Sequence, residues 1–112
     1  MPRGMSFALT TAQIRNRTKT VTRRLGWANL QAGTVLHACV KCMGLRPGEK
    51  VERIAQIRVI AVTREELQLC TDSDAAREGF PELTGAEFVA MFCRHMRVRP
   101  ETIVTRIEFE YV

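Results

Sequence analysis

The stretch Arg17-Thr18-Lys19-Thr20-Val21-Thr22-Arg23-Arg24 stands where a short helix gives way to an extended strand. Upstream of it, Thr10-Thr11-Ala12-Gln13 has the spacing of a capping box, which predicts a helix from there to about Arg17. Residues 20–22 are all β-branched, and such side chains favour extended backbone. Gly26 is expected to end the strand. The helix thus passes directly into a strand that carries both cations and hydroxyl groups.

Hydrophobic patterns further along the chain predict three more strands. Residues 35–40 follow Gly33 as an apolar run typical of a buried strand, and residues 51–63 predict a longer strand or a bent pair. Between them, Arg46-Pro47-Gly48-Glu49 predicts a turn. Residues 103–111 alternate between apolar and polar side chains, which indicates a half-buried closing strand.

Two helices are predicted between the long strand and the closing strand. The first covers residues 75–78, is capped by Asp72 or Asp74, and ends before Gly79. The second opens with the capping box Thr84-Gly85-Ala86-Glu87. Four of its apolar residues share one face, which we expect to pack in the core: Phe88, Met91, Phe92 and Met96.

The length, composition and order of elements predict a single domain over residues 1–112. Of these residues 46% are hydrophobic, which is enough for a packed core. Strands outnumber helices without regular alternation, so we expect an α+β fold with a small, mostly antiparallel sheet or barrel and short flanking helices. No apolar run reaches the length of a membrane span, and the first residues lack the apolar core of a secretory signal. We therefore expect a cytoplasmic protein without a membrane partner.

The positive charge is concentrated in one part of the chain. The formal net charge is +5, yet the first 48 residues hold eight Lys and Arg residues and no Asp or Glu. This asymmetry favours an anionic partner, such as a nucleotide-like molecule or RNA. Guanidinium and hydroxyl groups of the opening stretch suit phosphate or carbonyl oxygens. We predict ligand contacts, close to Lys19, from four residues of the stretch and a nearby aromatic: Arg17, Thr20, Arg23, Arg24 and Trp27.

At these residues the sequence resembles the ASCH family (activating-signal-cointegrator homology domains), whose members have a PUA-like β-barrel. The family pattern Gly/Arg-x-Lys-x-x-Thr-x-Arg corresponds to residues 17–24. Further matches are Gly33 before a strand, the segment Arg77-Glu78-Gly79-Phe80, and the closing segment Ile107-Glu108-Phe109. The sequence departs from the common pattern in having Arg17 in place of Gly and Thr34 in place of Asp.

The resemblance implies two kinds of activity. Many members look like RNA-binding modules, whereas a subset of small bacterial members are amidohydrolases that remove an acyl group from the exocyclic amine of acylated cytidine. The proposed catalytic set of that subset corresponds here to Lys19, Thr22 and Glu78. Such chemistry needs a nucleophile, a base and an acid. The cations around Lys19 should disfavour its protonated form, which suits a base, and Glu78, at the negative end of its predicted helix, is expected to be the acid. Thr22 is then either the nucleophile or a group that positions water.

We therefore expect an enzyme of this amidohydrolase type acting on a nucleoside or RNA, with a non-catalytic RNA-binding module as the alternative. A ribonuclease that cuts at phosphate is the second alternative, although no pair of His residues suited to that cleavage is evident. We expect no cofactor and no obligate protein partner. Cys39-Val40-Lys41-Cys42 has zinc-ligand spacing, but Cys39 falls in a strand-like apolar run, so we expect buried thiols and no metal.

Overall fold

The computed structural model describes residues 3–112, and Met1 and Pro2 lie outside the described residues. Its strands are β1 (Arg3–Ser6), β2 (Val21–Arg24), β3 (Val35–Cys39), β4 (Arg53–Glu66) and β5 (Ile103–Tyr111). Its α-helices are α1 (Thr11–Arg15), α2 (Asp72–Arg77) and α3 (Gly85–Met96), and short 3-10 turns cover Ala8–Thr10 and Leu67–Leu69. Within residues 3–112, no helix combines the length and the apolar character needed to cross a bilayer.

The strands form one curled sheet, a half-barrel, in the order β1-β3-β4-β5-β2. Neighbouring strands run antiparallel, except that β1 runs parallel to β3. The two edge strands approach each other, because Nη2 of Arg24 donates a 2.7 Å hydrogen bond to the carbonyl oxygen of Ser6. The predicted α+β class, with a mostly antiparallel sheet and short helices, is confirmed.

Strand β1 was not among the predicted elements, since its residues show no strand-like alternation. It forms because its backbone pairs with β3, Met5 with Ala38 in one register pair. Gly4 permits a close approach there, since a Cβ atom at this position would lie 2.9 Å from Sγ of Cys42 and 3.3 Å from Sγ of Cys39. The chain therefore enters the sheet before α1.

The predicted capping box at the start of α1 is wrong. The Thr10 side chain makes no capping hydrogen bond. Instead of reaching back to Thr10, Nε2 of Gln13 donates a 3.2 Å hydrogen bond to the carbonyl oxygen of Gly79. Gln13 thus joins α1 to the end of α2, far away in the chain.

Helices α2 and α3 each begin with a reciprocal capping box. Thr71, rather than Asp72 or Asp74, caps α2: its Oγ1 accepts the amide hydrogen of Asp74 at 3.0 Å, and the Asp74 carboxylate accepts the amide hydrogen of Thr71. The box predicted between Thr84 and Glu87 is confirmed. Both helices therefore have defined starting points.

Two apolar clusters fill the interior, and β5 contributes to both. The barrel cluster contains Met5, Phe7, Ile14, Leu36, Ala38, Ile57, Val59, Ile107 and Phe109. The helical cluster contains Leu67, Cys70, Ala75, Phe88, Val89 and Val104. Strand β5 is buried on both faces at this point, because Val104 packs against the helices while Ile107 packs inside the barrel. The space between the barrel edges and α3 is where the candidate site lies.

Candidate active site

A cavity of about 540 Å³ separates the edge strands from helix α3. One side, which we call the polar wall, carries Ser6, Lys19, Thr22, Arg23, Arg24 and Glu78. The opposite side, which we call the apolar wall, carries Phe80, Phe88, Met91, Phe92 and Met96, and His95 of α3 lines the cavity beside them. The volume falls within the range of small-molecule sites.

Lys19 reaches the cavity from the connection between α1 and β2. The backbone of Arg17 turns this connection through the left-handed region at φ 62°. Two hydrogen bonds then fix the chain on either side of the lysine: the Tyr111 hydroxyl donates to the Lys19 carbonyl at 2.6 Å, and the Thr20 amide donates to the Arg77 carbonyl at 2.8 Å. Lys19 is consequently 3% exposed.

Glu78 follows the last residue of α2 and meets Lys19 in the polar wall. Nζ of Lys19 donates to Oε1 of Glu78 and to its carbonyl oxygen, both at 2.8 Å. Gly79, at φ 101°, turns the chain immediately afterwards, and a Cβ atom there would lie 2.7 Å from Cγ of Gln13. Glu78 is 2% exposed, so this ion pair is almost fully removed from water.

Arg23 supports the polar wall from within. Its side chain has no exposed surface. Nη1 donates to Oε2 of Glu78 at 3.1 Å, and Nη2 donates to Asp74 at 3.0 Å and to Glu65 at 3.4 Å. Within residues 3–112, Nε of Arg23 is the buried side-chain polar atom that lacks a hydrogen-bond partner. Arg23, which we expected to contact a ligand, therefore binds carboxylates of the protein through both of its terminal nitrogens.

Asp74 extends this network to the surface. Its Oδ1 accepts a 3.0 Å hydrogen bond from Arg106, and its Oδ2 accepts one from Arg23. Burial alone would raise the pKa of Asp74, but hydrogen bonds from Arg106 and the Thr71 amide, with the charge of Arg23, lower it to about 2. Asp74 is thus a fixed negative charge behind Glu78.

Thr22 and Arg24 complete the polar wall. Nε of Arg24 donates to Oγ1 of Thr22 at 3.1 Å, and its guanidinium lies 4.7 Å from the ring centroid of Phe7. Burial lowers the pKa of Arg24 to about 10, against the opposing charges of Glu78 and Cys42. Because the Thr22 oxygen accepts this bond, its hydroxyl hydrogen is available to another acceptor.

The pKa of Lys19 lies below its ordinary value, chiefly because burial disfavours the ammonium form. Glu78 opposes this shift, and Arg24 and Arg23 add to it. We expected a lowered pKa for Lys19 from the neighbouring cations alone. Burial is the larger cause, and it was not visible in the sequence.

Comparison with known proteins bears on the fold. No family model and no curated protein matches the chain. Among solved structures, it is similar to a protein of Enterococcus faecalis assigned to the family model DUF984, with a TM-score of 0.68, 17% identity and coverage of 100% of this chain and 80% of that one. It is also similar to an ASCH domain from Lactobacillus crispatus, with a TM-score of 0.64, 14% identity and coverage of 97% and 78%. The chain has an ASCH-like fold.

Within this ASCH-like fold, three predicted ligand residues do not line the cavity. The exposed guanidinium of Arg17 lies 5.4 Å from the ring centroid of Tyr111. Oγ1 of Thr20 accepts a 3.3 Å hydrogen bond from Arg77. Trp27 packs against the barrel cluster, with Arg3 4.3 Å above its ring. Lys19, Thr22, Arg23, Arg24 and Glu78 do come together at the cavity.

Two features noted in the sequence, the apolar face of α3 and Asp74, were not predicted to belong to the site. The helical spacing of Phe88, Met91, Phe92 and Met96 correctly indicated a shared apolar face. We assigned that face to the core, but the ASCH-like fold leaves it facing a cavity as well. Asp74 was considered only as a cap, and no sequence signal connected it with Arg23 or Arg106.

The cysteines of the Cys-x-x-Cys segment carry free thiols, Cys39 buried and Cys42 half-buried. Burial and the neighbouring Cys42 raise the pKa of Cys39 to about 11. Within residues 3–112, no group of three or more His, Cys, Asp or Glu side chains is arranged to hold a metal ion.

Proposed function

We propose that the protein is an amidohydrolase that removes an acyl group from the exocyclic amine of acylated cytidine. The observation that carries the proposal is the buried Lys19–Glu78 pair, which lines the same cavity as Thr22. Desolvating two charges costs several kcal/mol per ion, at an order of magnitude. A lysine with a lowered pKa in a cleft is a candidate base, because its neutral amine holds a lone pair that accepts a proton.

The proposed reaction begins with Thr22. The neutral amine of Lys19 takes the hydroxyl proton while the Thr22 oxygen bonds to the carbonyl carbon of the substrate amide. The hydrogen bond from Nε of Arg24 stabilises that oxygen as it loses its proton. When the C–N bond breaks, the ammonium of Lys19 returns the proton to the departing amine, and cytidine leaves.

Water completes the proposed cycle. It attacks the ester on Thr22, releases the carboxylic acid and restores the hydroxyl group. Glu78 holds the Lys19 nitrogen in place through two hydrogen bonds and opposes the lowering of its pKa. Its partner Arg23 keeps the Glu78 carboxylate from turning toward the substrate. Glu78 therefore acts through Lys19 in this scheme, rather than as the acid expected from the sequence, because its two carboxylate oxygens accept hydrogen bonds from Lys19 and Arg23.

The direct test is release of cytidine from N4-acetylcytidine, followed by chromatography. We expect Lys19→Met and Thr22→Val to lose roughly 10²–10⁴-fold in kcat/KM. Thr22→Ser, which keeps the hydroxyl, should retain much more activity than Thr22→Val. Arg77→Gln is the matched control, since it removes a cation outside the cavity. No turnover by the folded wild-type protein would refute the proposal.

The base assignment has a separate test in the titration of the Lys19 side chain by nitrogen-detected NMR. We expect its pKa below the ordinary value, and a further decrease in Glu78→Gln, because the carboxylate that favours the ammonium form is gone. Hydrolysis should then rise with pH as Lys19 loses its proton. An ordinary pKa for Lys19 in the folded protein would remove it as the base.

RNA binding is the second candidate, favoured by the exposed cations outside the cavity. Arg3 and Arg17 lie over the rings of Trp27 and Tyr111, an arrangement compatible with stacked bases and phosphates. An RNA-binding module should lose affinity steeply with salt through counterion release, whereas cytidine hydrolysis should be far less salt-sensitive. Shortening of a labelled RNA would indicate the ribonuclease alternative.

A further inference from the structure

The apolar wall offers more hydrophobic surface than an acetyl group can cover. Helix α3 presents Phe88, Met91, Phe92 and Met96 to the cavity from successive turns, and Phe80 adds a further ring from the segment before α3. Side chains at these spacings share one helix face. Met side chains adapt to irregular apolar partners and make favourable contacts with aromatic rings.

The rim of the cavity is apolar as well. Leu9 is 67% exposed, Met96 40% and Leu25 38%, and all three line this one cavity from different elements of the fold. Single exposed hydrophobic residues need no explanation, but a convergence of them around a concave site is typical of a binding surface. An acetyl methyl group next to Thr22 would leave this rim in contact with water.

We propose that the cavity takes cytidine derivatives whose acyl group is large and apolar, aromatic or medium-chain, and that α3 selects them. The inference rests on the proposed hydrolysis at Lys19 and Thr22. The amide carbon lies at the polar wall, and the acyl substituent extends along the apolar wall toward Met96. The apolar wall itself is made of Phe and Met side chains, which favour an apolar substituent, and the titratable side chain that α3 adds to the cavity is His95.

Binding tests this inference without requiring hydrolysis. N4-Benzylcytidine and N4-methylcytidine lack the amide carbonyl, so neither is hydrolysed, and they differ only in the apolar substituent. Calorimetry should give N4-benzylcytidine a Kd lower by roughly 10-fold or more, the discrimination expected when a hydrophobic pocket is better filled. Equal Kd values, or no binding of either compound, would overturn the inference.

Hydrolysis then separates this inference from the function on which it rests. We expect kcat/KM for N4-benzoylcytidine to exceed that for N4-acetylcytidine by roughly 10-fold. Tight binding of N4-benzylcytidine without hydrolysis of either amide would overturn the amidohydrolase and leave the apolar ligand site in place. A preference for the acetyl compound, with equal binding of both alkylcytidines, would keep the amidohydrolase and overturn the role of α3.

The rim residues supply variants that should fold normally. Met96→Gln and Leu25→Gln place a polar group at the rim, and together they should weaken N4-benzylcytidine binding by roughly 10-fold while changing N4-methylcytidine binding little. Leu69→Gln is the matched control, because Leu69 is 58% exposed and lies outside the cavity. If the control weakens binding as much as the rim variants do, the selectivity does not come from this cavity.

Discussion

The polar and apolar walls of the cavity are assembled in opposite ways. The polar wall brings together residues from β1, β2, the connection before β2 and the end of α2, and Lys19 and Glu78 lie 59 positions apart. The apolar wall comes almost entirely from one helix, whose periodicity alone puts its side chains on one face. The first arrangement needs the whole fold, whereas the second needs one helix in the right place.

The two walls also differ in what they contribute to stability. Apolar burial on α3 favours the folded state directly. A buried ion pair is often no more stabilising than well-packed hydrophobic residues of similar volume, yet loss of one partner is strongly destabilising. Within the polar wall, the charges of Lys19 and Arg23 therefore depend on that of Glu78, with which both form ion pairs.

The largest expected effect comes from breaking the polar wall at its centre. Glu78→Gln leaves Lys19 and Arg23 without a shared counter-charge and should lower the free energy of unfolding by about 3–5 kcal/mol. The double variant Lys19→Met with Glu78→Gln should recover much of that stability without recovering hydrolysis. Urea denaturation measures the free energy of unfolding of the single and the double variant. If the double variant is no more stable than Glu78→Gln, the two residues are not coupled in this way.

Acid should weaken the polar wall through Asp74. Its pKa is about 2 in the folded protein, below the ordinary 3.8, so the carboxylate stabilises the fold above pH 4. This contribution, about 2 kcal/mol, is lost as the pH falls from about 4 to about 2. Asp74→Asn should flatten the pH dependence of stability in that range. Glu82→Gln, at an exposed position, should leave it unchanged.

A change in the apolar wall should affect stability moderately and turnover less. Phe88 is 3% exposed, and its ring centroid lies 5.9 Å from that of Phe80 and 6.2 Å from that of Phe92. Phe88→Leu removes both ring contacts and should cost about 1 kcal/mol in thermal or urea unfolding. Its loss of N4-acetylcytidine hydrolysis should be much smaller than that of Lys19→Met. An equal loss in both variants would contradict the division of roles between the walls.

The smallest effect is expected at an ion pair outside both walls. Arg77 donates to Glu108 at 2.7 Å, but the two side chains are 37% and 29% exposed. Arg77→Gln should therefore change the free energy of unfolding by less than about 1 kcal/mol. A loss as large as that of Glu78→Gln would mean that burial is not what makes the polar wall sensitive.

The contrast between local and long-range contacts also explains which features could be predicted from the sequence. Local patterns were sufficient for β5, for α3 and for its capping box at Thr84, because these depend on neighbouring residues. Strand β1 was missed because it exists through pairing with β3 and through the close approach that Gly4 allows. No local pattern connected Arg23 with carboxylates from distant segments.

The family resemblance identified residues of the candidate site that the hydrophobic periodicity of the sequence could not identify. Lys19, Thr22 and Glu78 were selected together on the family pattern, and the fold brings all three to one cavity. Arg17, Thr20 and Trp27 were selected as ligand contacts for their charge, hydroxyl group and aromatic ring, and all three lie elsewhere. The apolar wall was recognised as a face, but whether a helix face meets core or cavity depends on the neighbouring edge strands.

The long separation between Lys19 and Glu78 has a consequence for folding kinetics. Their ion pair closes a large loop, and it has no stability of its own until the surrounding apolar residues exclude water. Contacts between distant residues form slowly compared with a helix such as α3. We therefore expect ion pairing at Glu78 to be among the last events in folding, so that burial of this pair during refolding would report completion of the whole tertiary structure.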